Sequence, residues 1–165
     1  MKKHISIFGI LALAFLVVGF EHNDFSHSSR VYLDIADQSI PNDVDTKVQF
    51  NAENWDTMSE FDSTTNYRFT ATRAGKYCVI GSVHFNANST GSRQIYIKKN
   101  GSGWSHGTDV QAASSGPTHL TVVDVVDMNG TTDYVEIFCK QDSGASLDIS
   151  DASIHTWMVV YRISQ

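Results

Sequence analysis

Seven histidines and two cysteines are the side chains here best suited to holding a metal or to nucleophilic chemistry. His4 lies in an apolar leader, and His22 and His27 lie in the polar stretch after it. His84, His106, His119 and His155 fall on separate strands and loops. A structural zinc site needs His and Cys clustered at short intervals, and this spacing offers no such cluster. The expectation is surface or interface histidines, with no metal and no cofactor. Asp142-Ser143-Gly144 has the form of a serine-protease nucleophile turn. Gln141 and Ala145 stand where that motif carries glycines, however, and no companion motif places a histidine beside it. A turn between strands accounts for the same residues. Asp43, Asp45, Asp124 and Asp127 would bind Ca2+ only where loops bring them together, and no EF-hand-type loop is present. Ca2+ therefore stays open but unplaced. No G-x-S-x-G, H-E-x-x-H, P-loop or dinucleotide fingerprint occurs. The chain reads as a non-enzyme with no catalytic residue.

The elements that must position these groups belong to one domain, since 165 residues leave little room for two. The formal charge is −6, the opposite of what a nucleic-acid surface carries. Lys2 and Lys3 precede an uncharged run over 5–20. A basic start followed by a short apolar stretch is the pattern of a secretory signal. An uncleaved anchor is the alternative, and only then would the protein touch a membrane. Residues 21–30 read as a flexible leader and 31–165 as the domain. The expected location is outside the cytoplasm, secreted or at the cell surface.

From residue 30 onward short β-rich runs recur, at 31–35, 47–51, 66–70, 76–86, 93–99, 119–128, 134–141, 146–149 and 154–163. Asn100-Gly101, Ser115-Gly116-Pro117, Asn129-Gly130 and Asp142-Ser143-Gly144 supply turns between them. Many short strands at even spacing predict an all-β, two-sheet antiparallel sandwich or jelly roll. The run WMVVY over 157–161 is apolar at both parities, as a strand covered on both faces would be.

An ordered set of residues then runs through this pattern: Phe50, Asp56, Phe61, Phe69, Gly75 and Tyr77, with Trp157 closing the chain. The spacing resembles the signature of the complement C1q globular domain, within the tumour necrosis factor-like superfamily. The closest resemblance is to the short, collagen-free versions of bacteria and phages. The gap from Phe61 to Phe69 is one residue longer than that pattern, and Val79 and Gly81 replace its final aromatics. Lys98 to Gly101, Asp133 to Val135, Ser143 to Leu147, and Trp157, Val159 and Tyr161 resemble its later strands and turns.

The resemblance implies a jelly roll whose signature aromatics and Trp157 share a core. It also implies a homotrimer packed on one sheet, with the strands holding Tyr77, Ile137 and Val159 side by side. With Tyr77, Val79, Val135 and Ile137 inward, Cys78 faces out and Cys139 in, so no disulfide joins them. The expected trimer interface is Ile80, His84, Tyr134, Phe138, Met158 and Val160. The first functional reading is a secreted homotrimeric module that binds an unknown protein or glycan through its loops. The second is a structural or adhesive part of a phage virion or cell-surface assembly.

Overall fold

The computed structural model describes residues 27–164. The expected signal or anchor over 1–20, and the leader before His27, lie outside them. Every regular element described is a strand. In chain order these are β1 (Ser28–Tyr32), β2 (Gln38–Ile40), β3 (Thr46–Lys47), β4 (Ala52–Asp56), β5 (Phe61–Asp62), β6 (Arg68–Thr70), β7 (Ala74–Phe85), β8 (Ser92–Lys99), β9 (Ser102–Gln111), β10 (Thr118–Asn129), β11 (Tyr134–Gln141), β12 (Leu147–Ile149) and β13 (Trp157–Ser164).

They form two antiparallel sheets. The first runs β2-β12-β7-β13-β1-β4, with β10 along β7, and the second runs β5-β6-β11-β8-β9, with β3 on β11. Alternation drives the sandwich. Tyr77, Val79, Val83 and Phe85 on β7, and Leu120, Val122, Val126 and Met128 on β10, are buried between the sheets. Ile95, Ile97, Val135, Ile137 and Cys139 meet them from the second sheet. Each such side chain contributes about 1.5–3 kcal/mol on leaving water. Phe50, Phe61 and Phe69 lie in this core, and the Phe69 and Tyr77 rings sit 5.6 Å apart.

Two glycines explain local geometry. Gly81 faces the core where a Cβ would come within 2.7 Å of Ile137 Cδ1, so the missing side chain makes room for the opposite sheet. Gly75 has φ +146°, and a Cβ there would strike the Ser164 carbonyl at 2.2 Å. It is the second residue of β7. Asn100 and Gly101 both take positive φ, 52° and 76°, as a type I′ hairpin turn requires. They join β8 to β9, a strand that the polar pattern over 102–111 does not reveal.

Four expectations are corrected. Ser28 to Arg30, expected in a flexible leader, belong to β1, which pairs with both β13 and β4. β11 lies in the second sheet, so it does not flank β7 and β13. Met158 and Val160 are fully buried, because the register sets them opposite the inward Gly81 and Val79. Trp157 is the reverse. It is half-buried on the outer face, with the Arg30 guanidinium 5.6 Å from its ring. Cys78 and Cys139 are free, on different sheets, Cys78 half-buried and Cys139 in the core.

Candidate functional site

The outer face of the first sheet is built from cross-strand rows. One row carries Tyr32, Trp157, Ser82 and Thr121, and the next Arg30, Val159, Ile80 and Val123. A third carries Ser28, Tyr161, Cys78 and Val125. Val123 is 64% exposed and Val125 41%, although both are β-branched residues in the middle of a long strand. The residues that turn inward opposite them already fill the sandwich, so Val123 and Val125 stay open to solvent, whereas Cys78, Ile80, Trp157 and Val159 beside them are half-buried.

Beyond the Trp157 row the same register brings three histidines together. His84 on β7 is paired with His119 on β10. His155, two residues before Trp157, falls beside His84 on the other flank. Ring centroids of His84 are 4.1 Å from His119 and 4.2 Å from His155, edge-on to the first and stacked on the second. One nitrogen from each ring lies within 4.8 Å of the others. His84 Nδ1 and His119 Nε2 face each other directly.

The backbone around these rings is tied down. The Ser82 hydroxyl donates to the His155 carbonyl at 3.1 Å, and Ser150 N–H donates to the His84 carbonyl at 2.9 Å. Ser150 Oγ lies 3.0 Å from His155 Nδ1. With Nδ1–H donating to that oxygen, Nε2 of His155 keeps its lone pair. Burial, followed by the charges of His119 and His155, pushes His84 down to about 4, against a small upward pull from Asp37. Burial and then His155 lower His119 as well. Both rings are therefore neutral near pH 7, with a lone pair each to offer.

The other expected residues do not join this site. Tyr134 and Phe138 point outward from the second sheet, where Arg68 and Lys98 Nζ each sit 4.0 Å over their rings. They cannot share an interface with Ile80 and His84 on the opposite sheet. Asp56 lies at the end of β4 and accepts from Phe61 N–H at 2.7 Å, fixing a loop rather than filling the core. Asp43 and Asp45 pair with Lys140 and Lys98, away from Asp124 and Asp127 on β10. Ser143 Oγ lies 2.6 Å from Gln141 Oε1 and 3.1 Å from the Ala145 carbonyl, contacts of a turn. His106 packs edge-on to Tyr96 on the second sheet. The sequence signal that escaped notice was parity. His84 and His119 are both outward positions near facing ends of two strands, but nothing local shows that those strands pair.

No protein-family model matches this sequence, and no curated protein does so either. Solved structures do match its shape. Eiger TNF from S. frugiperda superposes with a TM-score of 0.61 at 8% identity, over 84% of this chain and 92% of that one. The fold is the C1q/TNF-like jelly roll. The globular domain of zebrafish complement 1qA gives 0.57 at 14% identity, over 81% of this chain and 93% of that one. The PRD1 vertex protein P5 gives 0.60 at 14%, over 85% and 99%. Such low identities carry the jelly roll alone.

Proposed function

We propose that the chain is a non-enzymatic recognition module working outside the cytoplasm, which assembles as a homotrimer and binds a protein or glycan ligand through its loops. The observation that carries this reading is the apolar outer face of β1, β13, β7 and β10, with Val123 and Val125 exposed along its β10 edge. Apolar patches of this kind on a water-soluble domain are buried against a partner. The resemblance to C1q-like and TNF-like domains implies that this sheet packs around a threefold axis. The interface is then Trp157, Val159, Cys78, Val123 and Val125 together with Ile80, which is kept from the set the sequence suggested. Three copies of each loop would turn weak single contacts into avid binding. Light scattering on the purified chain at micromolar concentration should give three times the chain mass, and Val123→Glu should reduce it to one. A monomer for the unmutated chain overturns the reading. The likeness to the PRD1 vertex protein favours a second one, a virion or surface-assembly component, and tail or capsid genes beside this chain's own would decide for it.

A further inference from the structure

The row formed by His155, His84 and His119 has the composition of a metal site, with three imidazoles from two strands and the loop that leads into a third. We propose that these three histidines bind one zinc-class divalent cation in each chain, pinning the 150–156 loop to β7 and β10. Three observations converge on it. The donor nitrogens lie within 4.8 Å of one another, while two nitrogens on one tetrahedral Zn2+ are about 3.4 Å apart at the usual bond length of about 2.0–2.1 Å. Small side-chain rotations, which must move His84 Nδ1 and His119 Nε2 slightly apart, bring the three nitrogens to that spacing, and His119 is exposed enough to make them. The facing atoms are His84 Nδ1 and His119 Nε2, and the Ser150 contact leaves His155 Nε2 as the third donor.

The surroundings fit the same ion. Ser150 is an outer partner that fixes the His155 ring, the role that hydroxyl, carbonyl and carboxylate groups play behind most zinc-bound imidazoles. Asp37 accepts from Asn86 Nδ2 at 2.7 Å and from Asp151 N–H at 3.0 Å, and its charge acts on His84. It supplies negative charge beside the three imidazoles. An all-imidazole set suits late first-row metals over Ca2+ or Mg2+, which take oxygen donors. Three protein ligands leave a fourth position to solvent. The site lies within one chain, so it stands or falls independently of self-association.

The test uses the full chain stripped with chelator and titrated with Zn2+ by calorimetry and with Co2+ by visible absorption. The expected result is one equivalent per chain, with the intense d–d bands of tetrahedral Co2+. His119→Gln, at an exposed ring, should weaken Zn2+ binding by more than the ~10–100-fold typical of an outer-shell loss. Ser150→Ala, which removes no ligand, should weaken it about 10-fold. His106→Gln and His22→Gln should leave it unchanged. Zn2+ binding that survives His119→Gln, or that disappears with His106→Gln or His22→Gln, overturns the proposal, as does absence of a stoichiometric site.

Discussion

Asp62 organises the tight loop after β5 with one carboxylate. Its Oδ1 accepts from Thr64 N–H at 3.0 Å and Thr65 N–H at 2.9 Å, and its Oδ2 from Asn66 Nδ2 at 2.6 Å. These bonds favour the charged form, led by the Thr65 and Thr64 backbone donors, and hold the carboxyl below its ordinary value. A lowered folded pKa means stability that is complete above the unfolded value, near pH ~4, and lost as pH falls through the folded one. Solvent screens so exposed a group, so Asp62→Ala should cost only about 1 kcal/mol at pH 7. Urea melts should show the gap between the two proteins narrowing below pH ~4 and closing in stronger acid. Glu60 solves a harder problem at the same scale. Its buried Oε1 accepts from Thr72 N–H and Oγ1 at 2.7 Å and meets His27 Nδ1 at 2.9 Å, so it ties the segment before β1 to the second sheet.

At the scale of elements, β13 shows what a chain can and cannot reveal by itself. Its residues from Trp157 to Tyr161 are apolar at both parities, which announced two covered faces but not which face was which. The register against β7 decides: Met158 and Val160 point in, Trp157, Val159 and Tyr161 out. A slip of one residue would reverse every assignment. Met158→Ala should therefore cost about 2–5 kcal/mol of stability. Trp157→Ala should cost less in a denaturant melt and chiefly weaken self-association. Equal losses of stability would contradict this orientation. The alternating strands β7 and β10 were legible because half their residues face a core and half face outward. β9 was not, since most of its side chains are exposed and polar and its pairing comes from the Asn100-Gly101 turn. The histidine row was illegible for a related reason. Its members are separated by 35 and 36 residues, and only the pairing of β10 and β13 with the same strand brings them together.

For the molecule as a whole, Cys78 reports on the outer face without any mutation. Cys139 lies in the core with its thiol pushed up by burial, so it should resist alkylation in the folded state. Cys78 should react slowly in the assembled protein and quickly in the Val123→Glu variant, measured as adduct formation by intact mass under native conditions. Fast labelling of Cys78 in the unmutated protein would show that the face is open. The row that contains Cys78 has a further consequence. Ser28 and Tyr161 lie in that row, and Ser164 pairs with Lys76 just beyond it, whereas His84 lies at the far end of β7. Eight residues of extended strand between Lys76 and His84 span roughly 26 Å. Both ends of the described chain thus leave from one pole, and the histidines stand at the other. A tether fixed to either terminus, whether a lipid anchor, a stalk or a neighbouring protein, would hold the molecule upright with the 86–92, 112–117 and 150–156 loops pointing away from the surface that carries it.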